Sequence, residues 1–261
     1  MFNSFSTFLS FQSQTSSALL APMRYATQGT IDAAMLAVKE DVAINLGGGY
    51  HHAEADTGGG FCVYADINIA MSTILEKCPI IKKIMYLDLD AHQGNGVESI
   101  LQKRADYTTY VVDCYNENNY PRDTRAAQRI DHSITSSHIY CETHKGLGRL
   151  GHYRISSCKD CSTAYITAIQ EKLPQAFETY KPDVVFYNAG TDPYEGDKLG
   201  AMHVSKQHMI ERDEFVFKLA RDKGCKVVMT TSGGYSSKSA EIIGESIINL
   251  RNKGLLQRYE R

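Results

Sequence analysis

No apolar run in the 261-residue chain approaches the roughly 18 residues that a membrane-spanning helix needs, which excludes a transmembrane protein. Excess charge of either sign is missing too. The 28 Lys and Arg stand against 30 Asp and Glu, a formal charge of −2, which supplies no general field for gripping phosphate backbones and argues against direct nucleic-acid binding. An even, closely spaced cysteine set is also lacking. The seven cysteines are scattered through a chain large enough to bury a core, so a reducing compartment is expected rather than a secreted disulfide framework. Acidic residues do not occur before Asp32, and Arg24 is the one basic residue in the Ser-, Phe- and Thr-rich stretch from Met1 to Gln28. Transit peptides are Arg-rich and amphipathic, so residues 1–28 read as a poorly ordered extension rather than a targeting segment. What remains, 43% hydrophobic and 22% charged with Gly and Pro dispersed, has the composition of a globular protein.

From Gly29 onward, β-branched runs alternate with helical patterns, the signature of a parallel sheet flanked by helices. Strands are expected at Val42–Leu46, Ile84–Asp90, Thr108–Asp113, Val184–Asn188 and Lys226–Thr231. Helices are expected at Thr30–Lys39, Ala65–Lys77, Asn95–Lys103, Cys161–Tyr180, Ser205–Lys223 and Lys238–Arg251. Asn95 with Glu98 three residues on, and Ser205, read as helix starts. Right-handed crossovers then bring every strand's carboxyl end to one edge, where open α/β sheets bind ligands. No repeat or linker divides the chain.

Each expected strand delivers polar residues to that edge. The first runs into Gly47-Gly48-Gly49-Tyr50-His51-His52, the second into Asp88-Leu89-Asp90-Ala91-His92, and the third ends at Asp113. The fourth reaches Asn188-Ala189-Gly190-Thr191-Asp192 and the fifth Ser232-Gly233-Gly234-Tyr235. Taken singly, each has an ordinary structural reading as a turn, cap or solvated loop. Five arriving at one edge do not. In Asp88-x-Asp90-x-His92 the two-residue strand period points three ligand-type side chains to one side. One imidazole and two carboxylates, the second from Asp192, suit zinc or iron(II) with a position left for water. His51 and His52 are candidates for proton transfer, and Tyr235 for polarising a carbonyl, the equipment for metal-assisted amide hydrolysis.

In these residues the chain resembles the zinc-dependent histone deacetylase family, and in detail its class IV branch (histone deacetylase 11-like). The resemblance runs from about Gly29 to Leu250 through GGGYHH, GGGFCVYAD, DLDAHQGNG, YNAGTD, Leu199-Gly200 and TSGGY. It implies a three-layer α/β domain over residues 29–261, arginase/deacetylase-like, its mostly parallel sheet covered by helices on both faces. It implies that Asp90, His92 and Asp192 bind Zn2+, that His52 is general base and acid, and that Tyr235 stabilises the oxyanion. By the same resemblance His51 is an electrostatic partner held by Asp88, and Gly60 and Phe61 line the acyl-lysine channel. The backbone around Asp88, Asp90, His92 and Asp113 would hold a monovalent cation such as K+.

Three features depart from the family pattern. Asn95 stands where class I members carry an aspartate behind the catalytic histidine, as in classes II and IV, and a neutral amide cannot raise imidazole basicity as a carboxylate does. Gly94 occupies the place where the arginase branch puts a carboxylate for a second metal, which disfavours a binuclear manganese enzyme. Residues 136–157 read as an insertion; its Cys141-x-x-His144, with Cys158-x-x-Cys161 following, has a spacing compatible with a structural zinc, against the plainer reading of a polar surface loop. Family members also carry a longer region before the point where the resemblance begins, so poor turnover and ready association are expected of the chain as it stands.

The leading function is removal of acyl groups, acetyl or longer, from the ε-nitrogen of lysine in proteins, histones among them, in the nucleus or cytoplasm. Deacylation of a small amine such as an acetylated polyamine would use the same motifs. A weakly active interaction module is the alternative outside enzymology.

Overall fold

The computed structural model describes residues 16–104, 108–116, 119–123, 136–138 and 161–259. Each β-branched run becomes a strand of one sheet: β1 Val42–Asn45, β2 Ile84–Asp88, β3 Thr109–Asp113, β5 Val184–Asn188 and β6 Lys226–Thr230. A further strand, β4 Ser136–His138, pairs with β3 at the sheet edge. Its three residues are the beginning of the segment read as an insertion, too short a run to carry a period. Cys141, His144 and Cys158 lie outside the described residues. All pairings are parallel, in the order β1-β6-β5-β2-β3-β4.

Among the described residues six α-helices cover the sheet: α1 Ala21–Glu40, α2 Asp66–Lys77, α3 Asn95–Lys103, α4 Cys161–Tyr180, α5 Lys206–Asp222 and α6 Ser239–Asn252. The strand period sorts the core into two layers. Ile84, Tyr86, Val111, Val184, Phe186 and Val228 pack with Ala34, Ala37, Met71 and Val97 of α1, α2 and α3. Met85, Leu87, Val112, Val185, Tyr187 and Val227 pack with Ile169, Phe177, Val216 and Ile242 of α4, α5 and α6. Every residue of β2, β3, β5 and β6 is buried, as strands covered on both faces must be. Truncating one such side chain, as in Ile84→Ala, costs about 2–5 kcal/mol.

Two expectations are corrected. The boundary at Gln28 falls inside α1, which starts at Ala21 after a π-helical turn, Ser16–Leu20. Small residues explain this: Thr27, Thr30, Ala33, Ala34 and Ala37 form its buried face, and Asn45 Nδ2 donates to the Ala26 carbonyl at 3.2 Å. The Asn95–Glu98 helix start is not a capping box. Gly94 is the cap residue, and Asn95 turns its side chain to His52 instead. Ser205 does cap α5, accepting from the His208 backbone N–H at 3.3 Å.

Candidate active site

At their carboxyl ends the central strands stop level with one another: Asp88 of β2 lies beside Asp113 of β3 and Asn188 of β5, and Asn188 beside Thr230 of β6. Asn188 ties this line together, donating through Nδ2 to Asp88 Oδ1 at 3.0 Å and accepting from Thr230 Oγ1 at 2.9 Å. The loops that run past it converge.

Asp90, His92 and Asp192 meet there, one ligand atom from each lying within 4.8 Å of the others, all three residues buried. His92 Nδ1 stands 3.0 Å from Asp90 Oδ1 and 2.9 Å from Asp192 Oδ2. The opposite ring nitrogen, Nε2, lies 3.2 Å from the Leu199 carbonyl and 3.2 Å from Asn119 Nδ2. Backbone and hydroxyl donors fix the acids: Ala91 N–H on Asp192 Oδ1 at 2.8 Å, and Ser232 Oγ and Gly233 N–H on Asp90 Oδ2, each at 3.0 Å. Gly233 is required by this approach, since a Cβ there would stand 2.5 Å from Asp192 Oδ2 and 2.7 Å from Asp90 Oδ2.

Among themselves these groups compete for protons. Burial and the Asp90 carboxylate push Asp192 up to about 7. Burial would raise Asp90 as well, but His51 and His92 hold it below its ordinary value. Against burial, hydrogen bonds that its Nδ1–H donates to Asp192 and Asp90 raise His92 to about 10. A divalent cation held by these residues would relieve this competition, its charge standing in for that of the protons. One imidazole and two carboxylates, with fixed outer partners and, among the described residues, no fourth His, Cys, Asp or Glu in the cluster, fit zinc or iron(II) with open positions.

The two histidines beside the cluster are held differently. His51 Nδ1 lies 2.7 Å from Asp88 Oδ2, an oxygen that also accepts from the Tyr86 hydroxyl. Burial disfavours charge on His51, but Asp88 and Asp90 outweigh it and raise the ring to about 9. His52 Nδ1 lies 2.8 Å from Asn95 Oδ1, so it donates there and Nε2 is left without a proton. Burial and the charge of His51 lower His52 to about 3.

Aromatic residues form the rim. Tyr235 sets its ring 5.9 Å from Phe61 and 6.4 Å from His92, between centroids. Burial, with Asp90 and Asp192 nearby, raises the phenol further, so it stays a donor. Gly60 adopts φ +49°, and a Cβ there would come within 2.7 Å of His52 Cγ, so only glycine lets this loop close on the ring. Three residues that the sequence did not single out belong to the site. Tyr120 stands edge-on to His52 at 5.0 Å. Asp197 accepts from the Tyr235, Leu199 and Gly200 N–H groups at 2.6, 2.9 and 3.1 Å. Asp66 accepts from Gly49 and Tyr50 N–H at 2.9 and 2.8 Å, bracing the turn before His51.

A family model described as the histone deacetylase domain matches residues 4–250. The chain belongs to the histone deacetylase family. Histone deacetylase 2 of Arabidopsis thaliana is 40% identical over 239 residues, 92% of this chain and 56% of that protein. An uncharacterized protein of Picosynechococcus is 30% identical over 218 residues, 84% of this chain and 64% of its own. The chain thus spans about half to two thirds of the length of these relatives. Among solved structures, a histone deacetylase homologue from Aquifex aeolicus superposes with a TM-score of 0.67 at 23% identity, covering 88% of this chain and 56% of that one. An acetylpolyamine aminohydrolase from Burkholderia pseudomallei does so with 0.66 at 19%, covering 85% and 60%. The fold is therefore that of the histone deacetylases, and among the described residues the Asp90–His92–Asp192 cluster is a group that could hold a metal ion. Asp113, Asp88 and Glu98 lie together behind it, where burial and the charges of Asp88 and Glu98 raise the Asp113 carboxyl well above its ordinary value.

Proposed function

We propose that the chain is a zinc-dependent hydrolase of the class IV type that removes acyl groups, acetyl or longer, from the ε-amino group of lysine in proteins. The convergence of Asp90, His92 and Asp192 beside His52 and Tyr235 carries this reading. When bound, the ion supplies a Lewis acid that polarises the acyl carbonyl and acidifies water. His52, neutral and with Nε2 free, takes a proton from the attacking water and returns it to the departing lysine nitrogen. Charged His51, anchored on Asp88, supplies a fixed positive charge next to it. Tyr235 donates its phenolic hydrogen to the oxyanion that develops on the acyl carbon's oxygen.

Gly60 and Phe61 form a wall of the lysine channel in this reading, with the Tyr120 ring packed beside Gly60. Phe61, Tyr120, Leu199 and Tyr235 are exposed apolar side chains bordering the site. An alkyl stem fits them better than does a polyamine, whose remote ammonium groups call for acids. Histones are candidate substrates, and the nucleus or cytoplasm the expected compartment. We also place a monovalent cation such as K+ at the backbone around Asp88, Asp90, His92 and Asp113, supported by the crowding of buried acids there. Assay of one preparation on acyl-lysine peptides of increasing chain length and on acetylpolyamines tests the substrate class. Turnover of polyamines alone contradicts it.

A further inference from the structure

Arg212 of α5 heads the large, fully buried side chains among the described residues, and no step above uses it. Its guanidinium lies where the chain leaves β2 and β5. Nη1 donates to the Leu89 carbonyl at 3.1 Å and the Gly190 carbonyl at 2.8 Å, and Nη2 to the Ala189 carbonyl at 3.4 Å. Leu89 immediately precedes Asp90, and Gly190 stands two residues before Asp192. One planar cation therefore grips both segments that carry the cluster's carboxylates.

The cation is itself oriented from behind. Nε and Nη2 each lie 2.9 Å from Asp213 Oδ1, which also accepts from the Tyr187 hydroxyl, while Asp213 Oδ2 accepts from Ser246 Oγ of α6 at 2.6 Å. The Tyr187 ring stands 5.8 Å from the guanidinium carbon, and the Tyr165 hydroxyl shares the Leu89 carbonyl at 3.1 Å. Elements β5, α4, α5 and α6 thus fix the fork's plane. As a source of stability alone the arrangement is inefficient, because desolvating a buried ion pair offsets most of its attraction and apolar replacements often serve as well. As a device for holding carbonyls of two loops at set positions it is effective, and only arginine has the donors for it: lysine offers a point charge without a fork.

We infer that Arg212 is a positioning residue that sets the separation of Asp90 and Asp192 by clamping the Leu89 and Gly190 carbonyls, and so tunes the affinity of the cluster for its ion. The inference rests on the metal reading proposed above. Two carboxylates brought together repel one another until an ion binds, and a clamp that resists their separation keeps the ligands preorganised. Loss of outer-shell restraint of this kind lowers metal affinity by about 10–100-fold.

The test is zinc titration of the metal-stripped full chain against a chromophoric chelator, with cobalt(II) absorption as a spectroscopic reading of ligand geometry. Wild type, Arg212→Lys and Val216→Ala are compared; the last is a core truncation one turn along α5 that reports general weakening of the helix. We expect Arg212→Lys to bind zinc about 10–100-fold more weakly with an altered cobalt spectrum, and Val216→Ala to melt earlier yet bind as wild type does. A folded Arg212→Lys with wild-type zinc affinity and cobalt spectrum overturns the inference. If that variant does not fold, Ser246→Ala decides, since it frees one side of Asp213 and leaves the guanidinium in place. Affinity lowered by about threefold or more supports the clamp, and unchanged affinity overturns it. A wild-type chain that binds no zinc strikes the metal reading itself, an outcome distinct from tight binding by wild type and variants alike.

Discussion

His51 and His52 are neighbours with ring centroids 4.0 Å apart, yet His51 is raised to about 9 and His52 lowered to about 3. Their second partners decide this: a carboxylate, Asp88, behind the first and an amide, Asn95, behind the second. A charged ring beside a neutral one divides the work, fixed positive charge from His51 and proton transfer by His52.

Asn95→Asp tests that division. A carboxylate 2.8 Å from His52 Nδ1 favours the imidazolium and raises the ring's pKa. The basic form is then populated only at higher pH, so the acidic limb of the kcat/KM profile moves upward, by roughly one unit or more. A pH–rate profile on an acetyl-lysine peptide measures it, and an unmoved limb removes His52 from control of the rate.

Tyr235→Phe separates oxyanion stabilisation from metal binding. The variant keeps its zinc, because the phenol is outside the ligand cluster, and loses about 10²–10³ in kcat. Parallel metal analysis and steady-state kinetics check both halves. Unchanged turnover takes Tyr235 out of the mechanism.

Gly60→Ala tests the channel wall. The added methyl is driven into the His52 ring at a residue with positive φ, displacing the base without touching a metal ligand. A misplacement on the scale of an ångström lowers kcat/KM by about 10²-fold, with zinc affinity unchanged. Kinetics beside zinc titration show whether the two properties part in this way.

The strands could be read from the sequence because runs such as Ile84-Met-Tyr-Leu-Asp88 are apolar up to their last residue and buried on both faces. The strand period expected to carry Asp88, Asp90 and His92 does not reach the last two, because β2 ends at Asp88 and the loop beyond it brings Asp90 and His92 to Asp192. What escaped depends on contacts distant along the chain. Asp197 acts on Tyr235 across 38 residues, and Arg212 on Leu89 across 123, with no local pattern to mark either. Asn95 carried a misleading local pattern: its spacing to Glu98 matches a capping box, but His52, 43 residues earlier, claims its side chain. The start of α1 carries little sequence signal because its buried face is built of Ala and Thr, which register weakly as hydrophobic. Tyr120 and Asp66 are ordinary residues in sequence, given their roles by the loops that fold against them.

The central claim is that Asp90, His92 and Asp192 hold the ion on which acyl-lysine hydrolysis depends. Zinc titration of the metal-stripped chain, following bound metal and acetate release from an acetyl-lysine peptide in the same samples, tests it most directly. The account predicts that both rise together and saturate at one equivalent, and that Asp192→Ala, which leaves only two of the three ligands, shows neither. Wild-type zinc content in Asp192→Ala, or turnover by the stripped chain that zinc does not increase, would contradict it.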